Sequence, residues 1–474
     1  MTTKPTHSTR LARLASKEGD LTYAQALELI HRARAQKLLP EILDEDGMRK
    51  ALGVLRQMKD SVRAESPAAR QSFLLGHDDT ASPVFITAAA LRLHTMILGC
   101  PGSGRSVTLR NVISGMLDMG WSGTVLDLDA DISSRGLMGY CSDAATQRTL
   151  PYQQLSPTPA TPAQINPLRD LGPDEARDLL LSLSRGDDLF WQQSSKKMLG
   201  QLLSLCYDAH VAAPDVVSRP TIYSIGSILE APNLAAATAP LLRVLEKASP
   251  GADLSQYNSL IDTPDDIQYS ARHFGNVITQ IYNTQSARKM LLPKDPSAQI
   301  STEFLYDAPG LSYVGTNATG DPDLSILISS AVLSHAAHLA KARIHEGEAT
   351  PRFLVISSAH FADYPHLALL LSVARGGGLA VIMCDHGPED SPGFSFEDLA
   401  RNVNVMIMMD QYKEYADKAA LLLDDPNTSP MALRQLGVGQ AVVRTARPTP
   451  SIKRVRITRP ALPTTNASQK PSAP

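Results

Sequence analysis

From about residue 72 the chain alternates short apolar runs rich in β-branched residues with longer segments that carry apolar residues at helical spacing. This alternation is typical of a parallel sheet whose strands are joined by crossover helices. Strands are predicted at residues 84–86, 94–98, 124–128, 311–315, 353–356, 379–384 and 403–408. We therefore expect an α/β fold with a parallel-type central sheet.

A long interruption separates the third predicted strand from the fourth. It opens with a proline-rich connector, SPTPATPAQINPL, and continues with the helical patterns ARDLLLSLS, FWQQSSKKMLGQLLSLCYDAH and APLLRVLEKAS. These segments have apolar residues at three- and four-residue intervals, as amphipathic helices do. We predict an all-α domain at 161–295, inserted into an α/β domain formed by 71–160 and 296–457.

The two ends of the chain follow different patterns. Thr22 and Gln25 have the spacing of a capping box, so a first helix is expected near residue 22, and a second at about 47–64. Residues 1–70 are thus predicted to form a small helical unit behind a polar leader, either a packing appendage or a partner-binding helical pair. Residues 458–474 are rich in Pro, Ser and Thr and are predicted to be a disordered tail.

Composition narrows the classes of function. The 474 residues include 45 Lys and Arg against 48 Asp and Glu, a formal net charge of -3, which argues against a uniformly basic nucleic-acid coat but leaves a local basic patch open. The four cysteines are far apart, which disfavours a disulfide framework or zinc knuckle and fits a reducing cytoplasm. The longest uncharged apolar run, 324–340, carries four Ser and two His, and the N-terminus has no secretory h-region, so we predict no membrane span.

The strongest local motif is a glycine-rich loop between a predicted strand and a predicted helix. Its sequence, GCPGSGRS at 99–106, has the form G-x-x-x-x-G-[K]-S with Arg105 in the lysine position. Glycines let backbone N–H groups converge on phosphates, and Ser106 offers a hydroxyl to Mg²⁺. The bland alternative is a turn that merely joins strand to helix. The nucleotide-binding candidates are Gly99, Cys100, Pro101, Gly102, Ser103, Gly104, Arg105, Ser106 and Val107.

The acids that a P-loop nucleoside triphosphatase uses are missing from their usual place. Ser357 and Ser358 follow the strand at 353–356, where an Asp and a Glu would hold the Mg²⁺ shell and polarise water. His360 follows, and a lone histidine on a loop is more often part of the polar surface than a ligand-binding residue.

Other acids stand at strand ends, where ligands of α/β sheets bind. Asp127, Asp129 and Asp131 follow one strand, and Asp385 with His386 ends another. They are candidates for facing the nucleotide, and the alternative is that they are solvated loop acids or helix caps.

The order of these features resembles the TraG/TraD family of type IV secretion coupling proteins, relatives of the FtsK and HerA DNA-pumping ATPases. The similar segments are FLLGHDDTASPVFIT, HTMILGCPGSGRS, VLDLDAD, INPLRD, DLFWQQSSKKMLGQLL, ISTEFLYDAPGLSYVGTN, RFLVISSAHFADY, LLSVARGGGLAVIMCDH, VNVMIMMDQYKEYADKAALLL and LGVGQAVVRTARPTPSIKRVRI. The resemblance implies a RecA-like P-loop domain with an inserted all-α domain that begins near Asn166 and Trp191. It also implies that Arg375 belongs to the family's Arg-x-x-Gly motif, that His386 stands at the sensor glutamine, and that the last two segments are closing strands.

The departures from the family's motifs are systematic, because Walker A has lost its Lys, Walker B both acids and the sensor its Gln. What the resemblance implies is a P-loop subunit of a conjugative or type IV secretion system that binds ATP and Mg²⁺ with weak or no hydrolysis, and acts in DNA or protein transfer. Its expected partners are other transfer proteins, such as a coupling protein or relaxase, with DNA and homo- or hetero-oligomers as further candidates. We expect a cytoplasmic location, peripheral to the inner membrane through partners.

Two alternatives remain open at this point. One is an active hexameric DNA- or protein-translocating ATPase that uses Asp127 or Asp385 as replacement acids and Arg375 as an arginine acting on a neighbouring subunit. The other is a substrate-recruitment adaptor that works through the all-α domain.

Overall fold

The computed structural model describes ten stretches of the chain and four isolated positions near the N-terminus. These are 71–130, 136–158, 163–183, 189–251, 253–262, 264–291, 299–300, 309–344, 351–388 and 395–460, with Leu11, Leu14, Ile30 and Ala51. The chain divides into two compact units, Leu74–Thr458 and Met1–Phe73 with Arg459–Pro474.

An 11-stranded sheet organises the larger unit, in the order β2-β1-β13-β12-β11-β3-β10-β9-β4-β8-β5, and β6 pairs with β7 in a separate two-stranded sheet. The strands are β1 Ser72–Asp78, β2 Pro83–Thr87, β3 Thr95–Leu98, β4 Ser122–Asp127, β5 Tyr152–Leu155, β6 Gln164–Ile165, β7 Gln299–Ile300, β8 Leu311–Gly315, β9 Arg352–Ser357, β10 Leu379–Asp385, β11 Val405–Met408, β12 Gln440–Thr445 and β13 Ser451–Ile457.

The centre of the sheet is parallel and one side is antiparallel. Strands β11, β3, β10, β9, β4, β8 and β5 run parallel in this order, and β12, β13 and β1 continue the sheet in antiparallel pairs. The predicted α/β class with a mostly parallel central sheet is therefore confirmed, and every strand predicted from the apolar runs is present. The antiparallel strands β1, β12 and β13 and the edge strand β5 were not predicted from those runs.

Fifteen helices of four or more residues lie in the described part of the chain. They are α1 Ala88–Leu91, α2 Arg105–Asp118, α3 Leu137–Gln147, α4 Pro173–Leu181, α5 Leu189–Ala212, α6 Ile222–Leu229, α7 Leu234–Ala248, α8 Asn258–Ile261, α9 Asp265–Asn283, α10 Gln285–Met290, α11 Pro322–Ile344, α12 Tyr364–Ala374, α13 Phe396–Arg401, α14 Lys413–Leu423 and α15 Pro430–Leu433. Helices α4 to α10 all fall between β5 and β8.

The helical segment between β5 and β8 is built around buried aliphatic side chains. Leu199, Leu202 and Leu203 of α5 are fully buried, and Ile278 of α9 joins the same core. Helix α6 begins at a capping box in which Thr221 and Ser224 bond to each other's backbone N–H groups, as the sequence T-I-Y-S allows. The boundaries 161–295 for an inserted domain stay a prediction.

Helix α11 is long and apolar enough to cross a membrane by length and composition alone, and 78% of its most apolar window is buried inside the protein. Its core side chains include Leu327, Val332 and His335. The uncharged apolar run at 324–340 is thus the middle of a longer helix that packs within the fold.

In the smaller unit Ile30 and Ala51 are helical and buried. The remainder of the helices predicted near residue 22 and at 47–64 lies outside the described residues. The predicted tail also lies outside them from residue 461 onward.

Candidate functional site

The glycine-rich loop joins the carboxyl end of β3 to the N-terminus of α2, in the middle of the parallel strands. Gly102 has φ 85° and Gly104, the N-cap of α2, has φ 105°, both in the left-handed region that glycine adopts without strain. The Cys100 N–H donates to the Asp410 carbonyl at 2.7 Å, and the Gly439 N–H donates to the Ser103 carbonyl at 2.8 Å. The loop is thus anchored to the chain that follows β11 and to the turn before β12.

A side chain at Gly104 would be disfavoured by the close surroundings as well as by the backbone conformation. A Cβ at this position would lie 3.2 Å from the Gly439 nitrogen and 3.3 Å from Met409 Cε. The first turn of α2 is closed by Thr108, whose N–H and hydroxyl both donate to the Gly104 carbonyl, at 3.0 and 3.1 Å.

A cavity of about 240 Å³ opens beside this loop. It is lined by Arg105, Ser106, Leu109, Arg110, Asp127, Asp129, Gly136, Leu137, Ser357, Ser358 and Cys384. Within the described part of the chain, the Arg105 guanidinium forms neither a hydrogen bond nor an ion pair. Whole-ligand pockets span about 300–1,000 Å³, so this space is large enough for phosphate groups, and the remainder of a nucleotide would extend beyond it.

The predicted Walker B serines and two of the candidate acids, Asp127 and Asp129, line this cavity together. Asp127 is opposite Ser357 in the register of β4 and β9 and is buried, and its carboxylate accepts a hydrogen bond from the Tyr313 hydroxyl at 2.9 Å. Burial, together with that carboxylate, raises the pKa of Tyr313, so the tyrosine stays a proton donor. Asp129 is exposed and accepts a hydrogen bond from Thr319, and Asp131 lies outside the described residues.

Asp385 is not among the residues that line the cavity. It ends β10, between β3 and β9, and its Oδ1 accepts hydrogen bonds from His360 Nδ1 at 2.8 Å, from His386 Nδ1 at 3.0 Å and from the His386 N–H at 2.7 Å. Burial alone raises the pKa of Asp385, but the bonds from the two histidines outweigh it and lower this pKa to about 2. His360 and His386 therefore both form hydrogen bonds with the Asp385 carboxylate.

Arg375 lies at the opposite end of the parallel strands from the glycine-rich loop. It follows α12 and precedes β10, whereas the glycine-rich loop follows the carboxyl end of the neighbouring parallel strand β3. There it lines a cavity of about 640 Å³ together with His94, Arg401, Arg444 and Arg447. Burial lowers the pKa of His94 to about 4. In a single chain, Arg375 and the loop at 99–106 are therefore at opposite ends of the parallel strands.

Three residues of the loop's surroundings were not predicted from the sequence: Met409, Asp410 and Gly439. Cys100 Sγ donates to Asp410 Oδ2 at 3.2 Å, and burial followed by this bond raises the pKa of Cys100 to about 11, so the thiol is kept protonated. The sequence marks Met409 and Asp410 only as the residues that follow the apolar run at 403–408. The structure places the strand formed by this run, β11, beside β3.

Solved structures of similar fold exist, at low sequence identity. The conjugative coupling protein TrwB in complex with ADP and Mg²⁺ superposes with a TM-score of 0.57 at 14% identity, over 85% of this chain and 92% of that one. An unbound form of TrwB lacking its N-terminal segment gives 0.56 at 13% identity over 85% and 91%. VirB4 of Thermoanaerobacter pseudethanolicus gives 0.52 at 13% identity over 83% and 97%.

These similarities confirm the RecA-like P-loop fold. No protein-family model and no curated protein sequence matches the chain.

Proposed function

We propose that this protein is a nucleotide-binding P-loop subunit of a conjugative or type IV secretion system, with slow or no hydrolysis. The observation that carries the proposal is the cavity beside α2, in which Arg105 and the Ser106 hydroxyl face two serines where a motor would have acids. The TrwB and VirB4 folds support the choice of system, since TrwB is a conjugative coupling protein.

The residues present fit a phosphate and a magnesium ion. The left-handed glycines leave backbone N–H groups available at the start of α2, and Arg105 supplies a positive charge that forms no ion pair within the described residues. Ser106 and the Asp127 carboxylate are oxygen donors of the cavity that suit Mg²⁺. When bound with the nucleotide, Mg²⁺ would neutralise phosphate charge.

Hydrolysis is expected to be slow because the described lining of the cavity lacks a general base in the usual position. Ser357 and Ser358 cannot accept a proton from water at neutral pH as a carboxylate does. The Asp127 carboxylate already accepts the Tyr313 hydroxyl. An arginine in place of the lysine holds phosphate charge with a longer, forked group, which changes the geometry around the β- and γ-phosphates.

Binding is tested with a fluorescent ATP analogue in the presence of Mg²⁺. We expect saturable binding that Arg105→Ala weakens by at least tenfold. Arg243→Ala, which removes an exposed arginine from α7, is the matched control and should bind as the unaltered protein does. Equal affinity in all three proteins would contradict nucleotide binding at this loop.

Hydrolysis is tested by phosphate release with and without single-stranded and duplex DNA. We expect release close to that of buffer under all three conditions. Robust turnover that is lost in both Gly104→Ala and Arg105→Ala would contradict the slow-hydrolysis proposal.

The second candidate is an active hexameric translocating ATPase, and the observation in its favour is that Asp127 lines the same cavity as Ser106. In that case Asp127→Asn would abolish DNA-stimulated turnover, and ATP with Mg²⁺ would shift the protein to a ring in size-exclusion chromatography. Asp143→Asn, which changes an exposed acid of α3 outside the cavity lining, is the matched control and should keep full turnover.

The helical segment between β5 and β8 is the part of the chain that we connect with partner binding. We propose that the helical segment 161–295 recruits other transfer proteins, such as a relaxase, at the cytoplasmic face of the inner membrane. Exposed Tyr223 and Tyr269 on α6 and α9 offer aromatic contact area for such a partner. Co-purification with candidate transfer proteins should be lost in a Tyr223→Ser, Tyr269→Ser double variant, and unaltered capture would contradict this assignment.

A further inference from the structure

His360, Asp385 and His386 form a compact cluster that the proposed nucleotide chemistry does not use. Their candidate ligand atoms all lie within 4.8 Å of one another. The two imidazole rings meet edge to face, with centroids 4.7 Å apart. We propose that this cluster is a binding site for a divalent transition metal of the zinc class, with two imidazole nitrogens and one carboxylate oxygen as ligands.

The spacing of the three side chains is close to that of a coordinated site. Ligand atoms about 2.1 Å from a tetrahedral zinc are about 3.4 Å from each other. The two Nδ1 atoms lie 2.8 and 3.0 Å from Asp385 Oδ1. Each of these distances is therefore about 0.5 Å shorter than in a tetrahedral zinc site, and the ligands would have to separate by that amount to admit the ion.

The chemistry of the donor set selects the class of metal. Imidazole nitrogens with one carboxylate suit zinc and similar borderline ions better than Mg²⁺ or Ca²⁺, which prefer oxygen. Three protein ligands leave a fourth position for water or another small ligand, as in an open rather than a closed structural site. The His386 side chain is 41% exposed and the Asp385 side chain 8%, so the ion would have access from solvent on one side.

The surrounding fold holds the ligands in place. The Gly99 N–H donates to the Asp385 carbonyl at 3.2 Å, which fixes the end of β10 against the glycine-rich loop. Ser358 has φ 57° and starts the short 3-10 turn that carries His360. Left-handed backbone at a serine costs about 1 kcal/mol or more and concentrates at functional sites. Met383, Phe396 and Leu399 line the apolar side of Asp385.

The test uses the whole 474-residue chain, with cobalt as a spectroscopic probe and zinc as a competitor. After chelator treatment and dialysis, Co²⁺ should give visible d–d absorption of an N/O-ligated site, and one equivalent of Zn²⁺ should abolish it. His386→Gln should weaken Co²⁺ binding by at least tenfold, because the loss of outer-shell partners alone costs about 10- to 100-fold. His386 is half-exposed, so this variant keeps its fold, which circular dichroism verifies.

Two control variants separate the outcomes. His366→Gln removes another histidine that pairs with a single aspartate, Asp363, and should leave Co²⁺ binding unchanged. Arg105→Ala should also leave it unchanged, so loss of nucleotide binding and loss of metal binding are distinguishable. Absent d–d bands, or equal Co²⁺ affinity in the unaltered protein and His386→Gln, would overturn the metal site.

Discussion

Gly102 and Gly104 both have left-handed backbone, and they differ in what a side chain would meet. A Cβ at Gly102 finds no described atom within 4 Å, whereas one at Gly104 approaches the Gly439 backbone at 3.2 Å. Alanine at Gly102 should therefore cost only the backbone strain of about 1–2 kcal/mol. Alanine at Gly104 should lower the free energy of unfolding further, because the turn before β12 must also move. Urea unfolding of the two variants measures this difference.

One outcome of comparing the two glycine variants would contradict this prediction. If Gly102→Ala were as destabilising as Gly104→Ala, the contact between the loop and Gly439 would not contribute. The m-value should stay unchanged in both variants, since neither alters the surface exposed on unfolding.

His335 on α11 gives the protein a pH-dependent stability. Burial lowers its pKa from 6.5 to about 4, although its hydrogen bond to the Pro167 carbonyl, at 3.2 Å, partly opposes this shift. A histidine whose pKa is lower in the folded protein binds its proton first in the unfolded chain. Folding therefore loses stability as the pH falls from about 6.5 to 4, by up to about 1.4 kcal/mol per pH unit.

His335→Gln keeps a donor for the Pro167 carbonyl and removes the titration. We expect the free energy of unfolding to depend less steeply on pH between about 6.5 and 4 in this variant, as measured by urea unfolding at several pH values. Ser334→Ala, at a neighbouring buried position, controls for altered packing of α11 and should keep the full slope. An unchanged slope in His335→Gln would contradict the lowered pKa.

At the scale of elements, Asn166 joins the connector after β5 to the segment that leads into α6. It is buried, its Nδ2 donates to the Pro220 carbonyl at 3.0 Å, and its Oδ1 accepts the Leu168 N–H at 3.2 Å. Asn166→Asp keeps the acceptor but sets a carboxylate against the Pro220 carbonyl. Losing a buried donor costs about 1–3 kcal/mol, and the charge adds to it.

The expected result for Asn166→Asp is a lower thermal midpoint and faster proteolysis within 163–291. Asn402→Asp is the matched control, because Asn402 also donates to a backbone carbonyl, at 3.1 Å, but is exposed. Equal loss of stability in both variants would show that the junction at Asn166 contributes nothing specific.

Most strands that the sequence predicted have both faces buried, the exception being β2, whose residues are alternately exposed and buried. Strands β3, β4, β8, β10 and β11 are buried at every residue, so their apolar runs are continuous and easy to recognise. Strand β5, with the sequence YQQL, lies at the sheet edge and leaves its polar side chains only partly buried, so no run of this kind marks it. Strands β12 and β13 mix polar with apolar residues and followed only from the family resemblance.

The candidate site was predictable to a similar extent. The spacing of glycines located the loop at 99–106, and strand ends located Asp127, Ser357 and Asp385. The sequence could not show that Asp385 and both histidines meet, because His360 belongs to another strand's loop and only the strand order β10-β9 brings it close. Met409, Asp410 and Gly439 were missed for the same reason, since their contacts with the loop join residues about 300 positions apart or more in the chain.

At the scale of the whole molecule, the parallel strands separate two sets of positive charge. Arg105 lies at their carboxyl ends beside the glycine-rich loop, and Arg375 lies beyond the amino end of β10. An arginine at that end can contact bound phosphate only on another copy of the chain, where the amino-end surface of one molecule faces the loop of the next. A contact between Arg375 and a bound phosphate would therefore require assembly of at least two copies.

Arg375→Ala should leave the affinity for an ATP analogue unchanged within about twofold at concentrations where the protein is monomeric by mass photometry, because no contact to the loop is removed. Arg105→Ala should weaken it by at least tenfold at every concentration, since a charge-assisted phosphate contact is worth about 1.5–3 kcal/mol. If the protein assembles head to tail at higher concentration, Arg375→Ala should weaken binding only there. Loss of affinity in the dilute monomer would mean that Arg375 reaches the loop of its own chain, which the sheet topology forbids.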